Sequence, residues 1–95
     1  MTTETIETPR RVGSREQARS FLATLPIDLS DSEIHIDCAQ LEASAPSFIN
    51  EMVKILLVER SAAQVRLLRA PPRTREYAER SARNRGVDAR FFAVD

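Results

Sequence analysis

Pro46-Ser47-Phe48-Ile49-Asn50-Glu51-Met52-Val53-Lys54-Ile55-Leu56-Leu57-Val58-Glu59-Arg60 is the stretch that decides the fold. Phe48, Ile49, Met52, Val53, Leu56 and Leu57 make two rows that each repeat every four residues, the spacing of a broad apolar stripe on a helix. Pro46 suits the first turn, where the amide it lacks would be unpaired in any case. A helix over 46–60 with such a stripe must bury it against another layer. The neighbouring segments supply that layer. Upstream, Ile34-His35-Ile36-Asp37-Cys38 alternates, placing Ile34, Ile36 and Cys38 on one side of a strand. Downstream, Gln64-Val65-Arg66-Leu67-Leu68-Arg69 reads as a second strand, closed by Pro71-Pro72.

Further out, Ser14 with Gln17 three positions later has the capping-box pattern, and Ala18, Phe21, Leu22 and Leu25 share one helical face until Pro26 stops the helix. A third helix follows the second strand, with Thr74 as an N-cap candidate, Tyr77, Ala78 and Ala82 as its apolar positions and Gly86 as its C′ glycine. Val87 to Val94 offers a last short strand. Residues 1–12 are rich in Thr and Glu and read as either a flexible tail or an edge strand around Thr3 to Thr8, leaving 13–95 as the domain. Alternating strands and helices predict a single-domain α/β layer of about four strands in a mainly parallel sheet with about three helices.

Ninety-five residues with 42% apolar side chains suffice for one core and not for two. The 14 basic and 14 acidic residues cancel, which argues against a general nucleic-acid binder. They are unevenly placed: four Arg against nine acids leave −5 over residues 1–51, and ten basic residues against five acids leave +5 over 52–95. That asymmetry allows a homodimer in which the acidic half of one copy meets the basic half of another. A single cysteine, Cys38, forms no internal disulfide, and no Cys/His set with metal spacing surrounds the single His35. Two glycines, Gly13 and Gly86, do not make a phosphate loop or a dinucleotide fingerprint. No cofactor and no enzymatic constellation is expected. The N-terminus lacks a basic region followed by an apolar one, and no apolar run reaches membrane-spanning length, so a cytoplasmic protein without a membrane partner is expected.

Ile34-His-Ile-Asp37-Cys-Ala-Gln-Leu41-Glu-Ala-Ser-Ala-Pro-Ser47-Phe48-Ile-Asn-Glu51-Met resembles the strand, loop and helix start of STAS domains, the anti-sigma factor antagonist fold. It is more similar still to the STAS-like family of short bacterial and phage proteins, in which a strand-ending aspartate precedes a Ser-Phe at a helix start and a Glu three residues beyond. Asp37, Ser47-Phe48 and Glu51 match that layout, and Ser14-Arg15 with Ala18 resembles the Ser-Arg-x-x-Ala opening the preceding helix. The matches cover about residues 13 to 60. The acid, first serine and glycine usual around the antagonist serine are Ala45, Pro46 and Phe48 here.

The resemblance implies a non-enzymatic regulatory module that binds a protein partner by partner switching, the partner being an anti-sigma-type serine kinase. Ser47 takes the regulatory phosphoserine position, and Ser44, Ser47, Asn50 and Glu51 are the partner-binding candidates. A phosphate on a first-turn serine meets unpaired amides and the positive end of the helix dipole while adding nearly two negative charges. The plainer alternative is that Ser44 or Ser47 caps the helix or completes its first turn. Two further functions stand beside the switch: a small bacterial or phage adaptor or inhibitor acting without phosphorylation, and a weak nucleic-acid binder using Arg66, Arg69, Arg73, Arg75, Arg80, Arg83, Arg85 and Arg90. Glu76, Glu79 and Asp88 interrupt that basic cluster, and Glu76 with Arg80 and Glu79 with Arg83 have the spacing of helix-surface pairs, so nucleic acid is the less favoured partner.

Overall fold

A computed structural model describes residues 1–94; Asp95, the last residue of the expected domain, lies outside them. Four strands, β1 (Thr2–Glu7), β3 (Ser32–Asp37), β5 (Gln64–Leu68) and β6 (Phe91–Val94), form one sheet in the order β1-β3-β5-β6, every pair parallel. The N-terminal stretch is thus an edge strand, in register with β3 from Thr2 opposite Ser32 to Glu7 opposite Asp37. Two short segments, β2 (Arg11–Val12) and β4 (Ala43–Ser44), pair separately. Three helices, α1 (Arg15–Phe21), α2 (Pro46–Val53) and α3 (Pro72–Asn84), connect successive strands of the main sheet.

Because the strands advance across the sheet in one direction, right-handed crossovers put all the connecting helices on the same face. Burial follows that rule. Ile34, Ile36, Val65 and Leu67 point to the helices and are fully buried, whereas Glu33, His35, Arg66 and Leu68 on the other face are only half covered and Phe92 and Val94 are exposed. The strands therefore alternate, although parallel sheets usually carry continuous apolar runs because both faces are covered.

Helix α2 lies in the middle of the helical layer, packed against both α1 and α3. The six stripe residues Phe48, Ile49, Met52, Val53, Leu56 and Leu57 are all buried. The chain stays helical to Glu59, but Lys54–Glu59 widens to a π-helix, and the Arg60 amide donates to the Ile55 carbonyl five residues back at 2.9 Å. Ordinary α pitch spreads three successive side chains over about 200° of the helix circumference; the widened turn brings Ile55, Leu56 and Leu57 all into the core.

Local signals set several ends. The Ser14 hydroxyl accepts from the Gln17 amide at 3.1 Å, and Gln17 Oε1 accepts from the Gly13 amide, one residue before the cap. Helix α1 ends at Phe21 rather than at Leu25; Leu22 and Leu25 are buried in the turn beyond it, and their carbonyls accept from Arg60 Nη1 at 2.8 and 3.2 Å. Helix α3 starts at Pro72, so Thr74 is not its N-cap but a buried residue of its first turn. Gly86, at φ +70°, closes α3 with paired 5→2 and 6→1 bonds from Gly86 and Val87 to Arg83 and Ala82. Asp88–Arg90 forms a 3₁₀ turn, so the last strand begins only at Phe91.

Each stripe residue contributes about 1.5 to 3 kcal/mol by burial. Leu56→Ala should cost about 2 to 5 kcal/mol in chemical denaturation, enough to unfold much of a domain this small. Ser61, exposed after the widened turn, has a left-handed φ of 55° without being glycine. Ser61→Gly relieves that strain, and thermal melting should show a gain of roughly 0.5 to 1 kcal/mol after the added unfolded-chain entropy is offset.

Candidate functional site

The loop leaving β3 delivers the chain to α2 through Ala45, which is the N-cap residue and carries no capping side chain. Neither serine caps the helix. Ser44 shares a 2.7 Å hydrogen bond with Thr74 Oγ1, tying β4 to the first turn of α3. Ser47 is half-buried in the first turn of α2. It lines a cleft of about 310 Å³ between α2 and α3 together with Arg15, Asn50, Tyr77, Arg80 and Asn84.

The four expected contact residues take different places. Asn50 borders the cleft, but its Oδ1 accepts from Ser81 Oγ at 2.7 Å and Arg85 Nη2 at 3.2 Å, so it also holds α2 to α3. Glu51 is only 3% exposed and belongs to the interior of the helical layer rather than to an open contact surface. Its Oε1 accepts from Arg15 Nη1 at 3.1 Å, its Oε2 lies 2.7 Å from Arg19 Nη2, and Lys54 Nζ approaches to 4.0 Å. Arg19 and Lys54 also reach Glu59, at 3.6 and 3.4 Å. Burial pushes the Glu51 carboxyl up, but the Arg15 hydrogen bond and the charges of Lys54, Arg19 and Arg15 outweigh it and hold it below the usual carboxylate range.

Outside the cleft, Asp37 at the end of β3 is gripped by Arg69, through Nε to Oδ1 at 3.2 Å and a second bond from Nη2 to Oδ2, and also accepts from the Ala39 amide. The Arg69 bond lowers the Asp37 carboxyl against the opposing effect of burial, with help from Ala39. His35 pairs with Glu33 on the bare sheet face, at 2.5 Å, and Arg66 approaches the same carboxylate at 3.4 Å while lying over the Phe92 ring. Burial and the neighbouring Asp37 push the Cys38 thiol up to about 12, so it is a core thiol rather than a nucleophile. Among the described residues no group of three His, Cys, Asp or Glu could hold a metal ion, and no helix is long and apolar enough to cross a membrane.

Several of the eight C-terminal arginines hold partners within the chain, among them Arg66 and Arg69 on strand residues, Arg80 on Glu76 at 3.2 Å, Arg85 on Asn50, and Arg90 on the carbonyls of Ala62 and Leu57. Of the cleft residues, Ser47 and Asn50 were expected at a contact surface, whereas Arg15 entered only through the Ser-Arg-x-x-Ala resemblance and Arg80 only within the basic cluster. The periodicity of α1, with Arg15 and Arg19 one turn apart, was the available clue that both face a common acid. Comparison with protein-family models, with curated proteins and with solved structures finds no match for this chain. The chain is an α/β domain whose parallel sheet is covered on one face by helices, with a charged cleft between α2 and α3.

Both Glu51 and Asp37 are held below their unfolded values, so each contributes stability above about pH 4 that is lost as pH falls through its lowered folded value. Melting temperature should be level from neutral pH to about 5 and then decline. Glu51→Gln should cost about 1 to 3 kcal/mol at pH 7, and its stability should fall less on acidification than that of the wild type. Parallel acid profiles for the two proteins would refute the role given to Glu51.

Proposed function

We propose that the chain is a non-enzymatic STAS-like regulatory module that binds a protein partner beside the α2 N-terminus and is switched by phosphorylation of Ser47. The observation that carries the reading is the position of Ser47, half-exposed in an uncapped first turn and bordering a cleft with two guanidiniums. A kinase would form an O–P bond at Ser47 Oγ as the terminal phosphoanhydride bond of ATP breaks, ADP leaving and the hydroxyl proton passing to the kinase's base. The product carries nearly two added negative charges on a surface of both signs, enough to exclude a partner whose contact there is neutral or acidic. The resemblance around Asp37, Ser47-Phe48 and Glu51 supports an anti-sigma-type serine kinase as that partner, in the cytoplasm. The commitment of Arg66, Arg69, Arg85 and Arg90 to bonds within the chain favours a protein partner over nucleic acid.

Incubation with bacterial lysate and ATP should add one phosphoryl group by intact mass, and Ser47→Ala should abolish the gain. A partner captured on the unmodified chain should be retained by Ser47→Ala and lost by Ser47→Asp. Both variants should stay folded, since an acid at a helix start is favourable by about 0.3 to 1 kcal/mol. Equal capture by both would leave a constitutive adaptor and remove the switch.

A further inference from the structure

Two guanidiniums border the Ser47 cleft, and each is weakly committed. Arg80 pairs with Glu76 across one turn of α3, where both side chains are more than half exposed, an arrangement that contributes only a few tenths of a kcal/mol. Arg15 is bonded to Glu51, but Glu51 does not depend on it: Arg19 holds the other carboxylate oxygen at 2.7 Å, and Lys54 stands by. Across this network three cations, Arg15, Arg19 and Lys54, share two acids, Glu51 and Glu59. One positive charge is in excess. Ser47 and Glu51 are also one helical turn apart on α2, on the same side of the helix, so an arginine that reaches one carboxylate oxygen is placed beside the other position. Asn50, between them, has its oxygen taken by Ser81 and Arg85 and keeps its amide N–H groups as donors.

We infer that the cleft is a phosphoryl-binding site in which Arg15, exchanged from Glu51, and Arg80 clamp the phosphate of phosphorylated Ser47, so that modification rewires the α1–α2 ion pairs without leaving a buried carboxylate unpaired. This rests on Ser47 as the modified residue. The phosphate is then held by its own chain, and what a partner senses includes a displaced Arg15 as well as an added charge. Glu51 is the pivot of the exchange and Arg19 the residue that makes it permissible.

The test installs phosphoserine at position 47 during synthesis, so that no kinase is needed, and follows the phosphate by phosphorus NMR against pH. A clamped phosphate should titrate about half a unit to one unit below its ordinary second pKa of about 6. Arg15→Gln and Arg80→Gln should each return part of that shift, and the double variant all of it; unmodified Arg15→Gln should fold normally because Glu51 keeps Arg19 and Lys54. In an Arg19→Gln background Arg15 is needed at Glu51, so the phosphate should titrate closer to its ordinary value. An ordinary titration that neither arginine moves would overturn the clamp while leaving the partner switch standing. A lysate that never modifies Ser47, with a shifted and arginine-dependent titration, would sink the switch and leave the cleft a phosphoryl site.

Discussion

The burial of α2 is the constraint on which the other elements depend. A helix in the middle of a one-sided helical layer has the sheet beneath it and a helix on each flank, so it has little surface left for polar side chains. Its six stripe residues lie at the centre of the core, where α1 brings the fully buried Ala18 and a Phe21 ring 5.9 Å from that of Phe48, and α3 brings the fully buried Ala78 and Ala82. Glu51 is the exception, a buried carboxylate covered by arginine side chains that are themselves more than half exposed. Arg15 and Arg19 from α1, with Lys54 one turn on, offset the cost of burying that charge, and the Ser14–Gln17 cap fixes where α1 begins. A buried acid thereby specifies which face of α1 meets α2.

Helix ends pose the complementary problem, since the last carbonyls of each helix have no partner within it. Arginine solves it twice. Arg60, at the end of the widened segment, donates to the carbonyls of Leu22 and Leu25 after α1, and Arg90, just before β6, donates to Leu57 and Ala62 at the end of the α2 segment. The ends of α1 and of the α2 segment are thus each met by a guanidinium from later in the chain, whereas α3 closes on Gly86. Arg90, which reads from sequence as part of a basic surface, is a tertiary cap, as is Arg60, and these bonds link α1, α2 and β6 in series.

What could be read in advance was whatever depends on near neighbours in the chain. The α2 stripe, the alternation of β3 and β5, the Ser14–Gln17 cap and Gly86 are local patterns, and all four have their expected counterparts in the fold. The π-widening after Val53 was not legible, because the apolar rows of Leu56 and Leu57 suit either pitch until the packing of Ile55 decides. β1 stayed ambiguous because Ile6 is its one large apolar residue; it pairs along the open edge of β3, where Ile6 packs on the core and the Thr2 hydroxyl bonds that of Ser32 at 3.0 Å. Thr74 looked like a cap because Ser44, thirty residues away, is invisible to local spacing. In the same way Glu51 matched a sequence motif but owes its burial to α1 and Lys54, and the cleft exists only where three helices meet.

The bare face of the sheet is the other place where a binding surface would be sought, since parallel strands are rarely left in water. Its groups are occupied with one another. Glu33 receives both His35 and Arg66, Arg66 covers the ring of Phe92, and Arg69 clamps Asp37 at the carboxyl end of β3. This lattice lets polar side chains shield the backbone of an uncovered parallel sheet, and breaking it to admit a ligand would strand a carboxylate. Across the molecule, the cleft between α2 and α3 has the opposite balance: an exposed Arg80 in a surface pair, an Arg15 whose acid has other cations, and a hydroxyl at the rim. The groups that can change partners at least cost therefore lie on the helical side, around Ser47.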